Sequence, residues 1–122
     1  MTRWEARPLT PDSKLAAFLA GTHYLPAAAI AWRETHPGYF EALLHHDKER
    51  GERTLLMRMK PGVRFGLHAH AGEREQIYVL SGSFHDQHRT LKAGDYACRE
   101  PGAQHSTTCD EECQALLVYT RV

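Results

Sequence analysis

Gly62-Val-Arg-Phe-Gly-Leu-His68-Ala-His70-Ala-Gly-Glu-Arg-Glu75-Gln-Ile-Tyr-Val-Leu-Ser-Gly82 is the stretch whose reading decides the fold. It opens and closes on glycine, and Ala71-Gly72 in its middle is a turn signal between two strand-like runs. Residues two apart on a strand project from the same face, with Cα atoms ~6.5–7 Å apart, so the imidazoles of His68 and His70 can both reach one ion. Glu75 opens the strand after the turn, where its carboxylate could come back across the pair.

A second stretch, Gly94-Asp-Tyr-Ala-Cys-Arg-Glu-Pro101-Gly102-Ala-Gln-His105, follows downstream. Its Pro-Gly corner delivers a third histidine, His105, onto a strand that could close the same cavity. Three neutral imidazoles and one carboxylate are mixed nitrogen and oxygen donors. Such a set suits one divalent transition metal per chain, with Fe(II), Mn(II), Ni(II) and Zn(II) as candidates. Four protein ligands would leave one or two positions open on an ion that accepts five or six. Each piece alone is a weak signal. A lone His-x-His is usually two half-exposed polar residues, Glu75 alone a surface carboxylate beside Arg74, and His105 alone a loop histidine. The joint spacing carries the reading: G-x5-H-x-H-x4-E-x6-G, then G-D-x5-P-G-x2-H.

The rest of the chain keeps the same rhythm. Apolar alternation runs through Leu55, Met57 and Met59, through Ile77 and Val79, and through Leu116, Val118 and Thr120. Pro37-Gly38, Lys48 to Gly51, Pro61-Gly62, Ser81-Gly82 and Ala93-Gly94 punctuate these runs. Turn signals every ~8–12 residues predict an antiparallel sandwich or small barrel of eight to ten strands. One short helix is expected near the start: Pro11-Asp12-Ser13 opens it, Leu15, Phe18 and Leu19 give it an apolar stripe, and Gly21 stops it. Tyr78 and Leu80 fall opposite in parity to Ile77 and Val79, so both faces of that strand need cover. A homodimer is the expected cover, and an N-terminal segment of the same chain is the alternative.

At these residues the chain resembles the cupin superfamily, the small RmlC-like jelly-roll barrels of bacterial enzymes and seed storage proteins. The first cupin motif is matched from Gly62 through His68, His70 and Glu75 to Gly82, and the second at Gly94, Gly102 and His105. Glu100 stands where the second pattern has proline, and Cys109 where it has asparagine. The resemblance covers about residues 53 to 121. It implies an all-β cupin β-barrel (a double-stranded β-helix) as one domain over residues 1 to 122, with residues 1 to 52 as the helix and extra strands. It also implies His68, His70, Glu75 and His105 as metal ligands. A finer resemblance, in Ile77-Tyr-Val-Leu-Ser-Gly-Ser-Phe, Glu100-Pro-Gly-Ala-Gln-His and Cys113-Gln-Ala-Leu-Leu-Val, is to the cupin type of certain anti-sigma factors. That type also includes small dioxygenases that cleave acetylacetone or dihydroxyacetophenone. The anti-sigma module carries an N-terminal zinc-binding helical domain with His and Cys ligands. Residues 1 to 60 hold no cysteine and leave little room for it, so a stand-alone barrel is expected.

Composition narrows the partners. In 122 residues, 15 Lys plus Arg balance 15 Asp plus Glu, so no bulk field favours nucleic acid or an anionic membrane. The longest apolar stretch, Leu25 to Trp32, is far shorter than the ~18–20 residues needed to span a bilayer, and the start shows no secretory h-region. Cys98, Cys109 and Cys113 form an odd set without a second pair to complete a zinc site, which fits a reducing cytoplasm. A small molecule inside the barrel is therefore the expected partner.

Of nine histidines, six lie outside the predicted ligand set. By alternation, one of His45 and His46 faces inward and could donate to the site or act as a base; a rim position is the plainer reading. Arg64 shares parity with His68 and could meet an anionic ligand at the mouth. Cys109 shares parity with His105 and could lie in the cavity. His85 and His88, flanking Asp86-Gln87, read as hairpin-tip residues, and Met57 and Met59 as packing. The function expected is a mononuclear metal-dependent, dioxygenase-like enzyme that uses Fe(II) on a small organic substrate. The alternatives are a non-enzymatic metal or small-ligand sensor holding structural zinc, and a metal-dependent isomerase or lyase.

Overall fold

Alternating apolar side chains, broken by glycine turns, build eight antiparallel strands in this computed structural model, which describes residues 21–122. They are β1 (Arg33–His36), β2 (Tyr39–Asp47), β3 (Glu52–Met59), β4 (Arg64–His68), β5 (Glu73–His85), β6 (Thr90–Lys92), β7 (Tyr96–Arg99) and β8 (His105–Arg121). The only helical element among the described residues is a 3-10 turn at Ala27–Ala29. The helix expected from Pro11 to Leu19 lies outside the described residues.

The strand order is β1-β2-β3-β8-β5-β6, with β4 paired to β8 and β7 to β5. Strand β8 spans 17 residues and organises the barrel. Its second half is held between β3 and β5, while its first half pairs with β4 on one edge. Register shifts between Val79 and Ser81, Ser81 and Ser83, and Ser83 and His85 let β5 and β8 bend together. Gly82 sits inside this bend at φ 69°. A Cβ there would run into the Glu112 backbone carbonyl, so only glycine lets the two strands approach this closely.

The core is the inward set Leu55, Met57, Met59, Ile77, Val79, Phe84, Leu91 and Leu117, all at most 4% exposed. Near the C-terminus the sequence pattern reads differently from the structure. The alternating run Leu116, Val118 and Thr120 lies on the outer face, and the buried set is Cys113, Ala115, Leu117 and Tyr119. Both parities of β8 are apolar, so alternation alone could not tell inside from outside. The outer face stays partly uncovered. Trp32 and Phe40 stack on the Arg58 guanidinium at 5.0 and 4.9 Å, whereas Tyr78, Leu80 and Tyr96 are 45%, 47% and 57% exposed.

Candidate metal centre

Backbone register puts the three histidines together. His68 ends β4 and His105 begins β8, and the two are direct partners across that ladder. His70 follows in the turn that leads to β5. The ring centroids of His68 and His105 lie 4.2 Å apart, and His70 is 5.2 Å from His105 and 5.4 Å from His68. One ring nitrogen from each lies within 4.8 Å of the other two, a spacing that can hold a metal ion.

Hydrogen bonds set the tautomers. Nδ1 of His68 is 2.7 Å from the Gly66 carbonyl, and Nδ1 of His105 is 3.2 Å from the Ala103 carbonyl. A carbonyl only accepts, so both Nδ1 atoms carry the proton and both Nε2 lone pairs are left for an ion. Burial holds His105 below its ordinary value and the Arg99 charge adds to this, against the Ala103 carbonyl and Glu75. A neutral imidazole is the form that ligates a metal. On the chemistry of its donors, the cluster fits a divalent transition ion.

Among the described residues, Glu75 is the one buried carboxylate beside this cluster. Its cross-strand partners are Arg99 on β7 and Tyr119 on β8, so both side chains share its face. Oε1 accepts from Arg99 Nη1 at 2.7 Å, and the Tyr119 hydroxyl on the same face also favours the charged form. Burial opposes its charge, but Tyr119 and the Arg99 guanidinium outweigh that and keep the carboxyl below its ordinary range. Oε2 lies 3.4 Å from His70 Nε2, and Oε1 3.9 Å from His105 Nε2. Arg99 reaches on to Asp86, with Nη2 3.5 Å from Oδ2.

His68, His70, Glu75, Arg99, His105 and Tyr119 line a cavity of about 570 Å³. Met57, Met59, Phe65, Ile77, Phe84 and Leu117 make the apolar wall, and His36, Tyr39 and Glu41 also line it. Tyr39 and Tyr119 are both pushed above the ordinary phenol range by burial, with Glu41 and Glu75 respectively adding to the shift. They therefore stand as hydroxyl donors.

The structure brings His68, His70 and His105 within ligand distance of one another, with Glu75 beside His70 and His105 but outside that mutual spacing, and sets the other four candidates elsewhere. His45 follows a register shift after Leu43 that breaks the expected alternation; it stacks on His23 and lies 3.7 Å from Glu52. His46 is exposed and borders a surface groove with Lys48, Arg53 and Arg121. Arg64 is exposed because a register shift between Phe65 and His68 exchanges the parity, and Phe65 faces the cavity instead. Cys109 is fully buried but is not in the cavity wall, and its thiol donates to the Glu111 carbonyl at 2.9 Å. Sequence reasoning missed Arg99, Tyr119, Tyr39, His36 and Glu41. None of the five carried a local signal, because Arg99 and Tyr119 meet Glu75 only through the pairing of β7 and β8 with β5.

Residues 20–122 match the model of a family described as the ChrR cupin-like domain. The chain belongs to this cupin family. Over 67 residues the cupin is 43% identical to an oxalate-binding protein of Thermotoga maritima, a match spanning 50% of this chain and 52% of that one, about half of each. Its fold is similar to an RmlC-like cupin from Shewanella frigidimarina, with a TM-score of 0.74 and 18% identity over 82% of this chain and 91% of the other. It is also similar to a chain in the complex of Rhodobacter sphaeroides SigE with the anti-sigma ChrR. There the TM-score is 0.63 with 23% identity, over 95% of this cupin and 70% of that chain.

Proposed function

We propose that this cupin is a metal-dependent, dioxygenase-like enzyme that binds a small organic substrate through oxygen atoms, with one divalent ion per chain and Fe(II) favoured. The observation that carries the reading is the pair of locked tautomers: His68 and His105 each spend Nδ1 on a backbone carbonyl and leave Nε2 for the ion. His68, His70 and His105 would hold it, with Glu75 as the adjoining carboxylate. When bound, such an ion supplies a Lewis acid and, as Fe(II), a redox centre.

The chain's own residues would do the rest. The wall of Met57, Phe65, Ile77 and Leu117 excludes water and strengthens electrostatic effects inside the cavity. The Tyr39 and Tyr119 hydroxyls, in the cavity wall beside Glu41 and Glu75, would help orient those carboxylates toward a ligand. Arg99 keeps Glu75 ionised, so that the carboxylate can orient a ligand or take up a proton. The cavity suits a small organic molecule.

A second reading, a non-catalytic binder of a small oxygen-chelating anion, is favoured by the oxalate-binding relative. An isomerase or lyase would need a base in the cavity; neither His45 nor His46 lines it, whereas Tyr39, Tyr119 and Glu75 do. The test is to purify the protein without oxygen, measure bound metal, and follow O2 uptake with β-diketones, aryl ketones and oxalate. Substrate-dependent O2 uptake supports the enzyme. Tight zinc and no uptake after iron reconstitution would leave only the binder. We propose as well that a second copy covers the outer face at Tyr78, Leu80 and Tyr96, and that the free thiols place the chain in a reducing compartment.

A further inference from the structure

The β5–β6 turn lies outside both histidine-bearing stretches, yet its side chains reach back to the metal centre. Strand β8 at His105 is supported unequally on its two edges. On one edge His105 is the partner of His68 in β4. On the other, the β5 ladder ends at the pair His85 and Thr108, so among the described residues no strand flanks residues 104–106 on that edge. In an extended chain the Gln104 carbonyl and the Ser106 N–H both point to that open edge, while His105 points its own backbone groups at β4.

The side chain of Gln87 fills the gap. Its Nε2 donates to the Gln104 carbonyl at 2.8 Å, and its Oε1 accepts from the Ser106 N–H at 3.0 Å. A carboxamide has one donor face and one acceptor face, like a peptide unit, so it completes both bonds that a neighbouring parallel strand would make. Gln87 is itself held by the turn. Asp86 Oδ1 accepts from the N–H groups of His88 and Arg89, both at 2.8 Å, and the Asp86 N–H donates to the Arg89 carbonyl at 3.0 Å. The same Asp86 faces Arg99, which holds Glu75.

We propose that Gln87 is a positioning residue for the metal centre: by bracketing His105 through the peptide groups on either side, it fixes where the His105 ring is presented. The inference rests on the metal-binding reading above. It assigns a role to a turn whose sequence reads only as a hairpin tip. Partners behind a ligand typically change metal affinity ~10–100-fold when removed, and that range is expected here although Gln87 touches neither ion nor substrate.

The test compares the wild type with Gln87→Leu, Gln87→Glu and His88→Ala, full length and loaded with Co(II). Affinity is read by chelator competition, ligand geometry by the Co(II) visible spectrum, and the bracket itself by hydrogen exchange of the Ser106 amide in the metal-free protein. Gln87→Leu is expected to weaken Co(II) at least ~10-fold, alter the spectrum and speed Ser106 exchange. Gln87→Glu keeps the acceptor but loses the donor, so an intermediate loss is expected; it also serves if the Leu variant does not fold. His88→Ala, in the same turn, should match the wild type. Equal affinity (within about two-fold) and an unchanged spectrum in Gln87→Leu would overturn the role of Gln87. Failure of the wild type itself to take up Co(II) or Zn(II) would instead overturn the metal-binding reading on which it stands.

Discussion

His68 and His105 are direct partners across the β4–β8 ladder, and their rings meet edge-on with centroids 4.2 Å apart. The half of the centre that sequence places in one stretch is thus clamped by backbone hydrogen bonds to the half it places in the other. Replacing the His68 imidazole should affect the ion more than the fold, because His68 is exposed.

His68→Ala, His70→Ala and His105→Ala are each expected to lower metal affinity ~10-fold or more, with Glu75→Gln also reducing it. Metal content after dialysis against a weak chelator reads this directly. Full occupancy in His68→Ala would place the site elsewhere.

Glu75 and Arg99 form a pair whose side chains are 6% and 10% exposed. Arg99→Met leaves the carboxylate buried with its guanidinium gone, which should cost ~3 kcal/mol or more of stability. The double variant Arg99→Met with Glu75→Gln should recover much of that loss, because the amide carries no charge to strand. Urea denaturation of the metal-free proteins decides it, and an additive double variant would speak against coupling.

Two glycines with positive φ should respond differently to alanine. Gly62, at φ 97°, has open space where a methyl group would sit, so Gly62→Ala should cost only the left-handed strain of ~1–2 kcal/mol. Gly82→Ala adds a collision with the Glu112 carbonyl on β8 and should exceed ~2 kcal/mol, visible as a lower Tm or as insoluble protein.

Burial pushes the Cys113 thiol up to about 12, with Cys109 and Glu111 adding, and raises Cys109 as well. Only the exposed Cys98 should react with a thiol reagent in the native protein, and all three cysteines after denaturation. Because the folded state favours the neutral thiols, their contribution to stability is complete below the unfolded value of 9.0 and is lost as pH rises toward about 12. Denaturation midpoints from pH 8 upward should therefore fall, and fall less in Cys113→Ala.

The outer face bearing Tyr78, Leu80 and Tyr96 predicts a dimer of the 13.9 kDa chain. Leu80→Glu should shift the mass measured by light scattering to that of one chain. A monomeric wild type would remove the proposal.

Much of the barrel and the three histidines was legible in the chain because those signals are local. Period-two alternation, glycine turns and the spacing of His68, His70 and His105 report geometry that an extended backbone produces wherever it runs. Reading failed where locality failed. At β8 both parities are apolar, so Leu116 and Val118 looked as inward as Leu117 and Tyr119. At His45 and Arg64 a register shift moved a side chain to the other face, and one extra residue in a strand is enough to do so.

The amino-acid sequence by itself determined the strand rhythm and the side-chain types able to hold an ion, because each depends on neighbours in the chain. Only the tertiary structure decided which partners fix those ligands. Arg99 and Tyr119 flank Glu75, and Gln87 brackets His105, because three strands and a turn remote in sequence come into register. That register is set by the whole sheet and its bulges, and no local pattern encodes it.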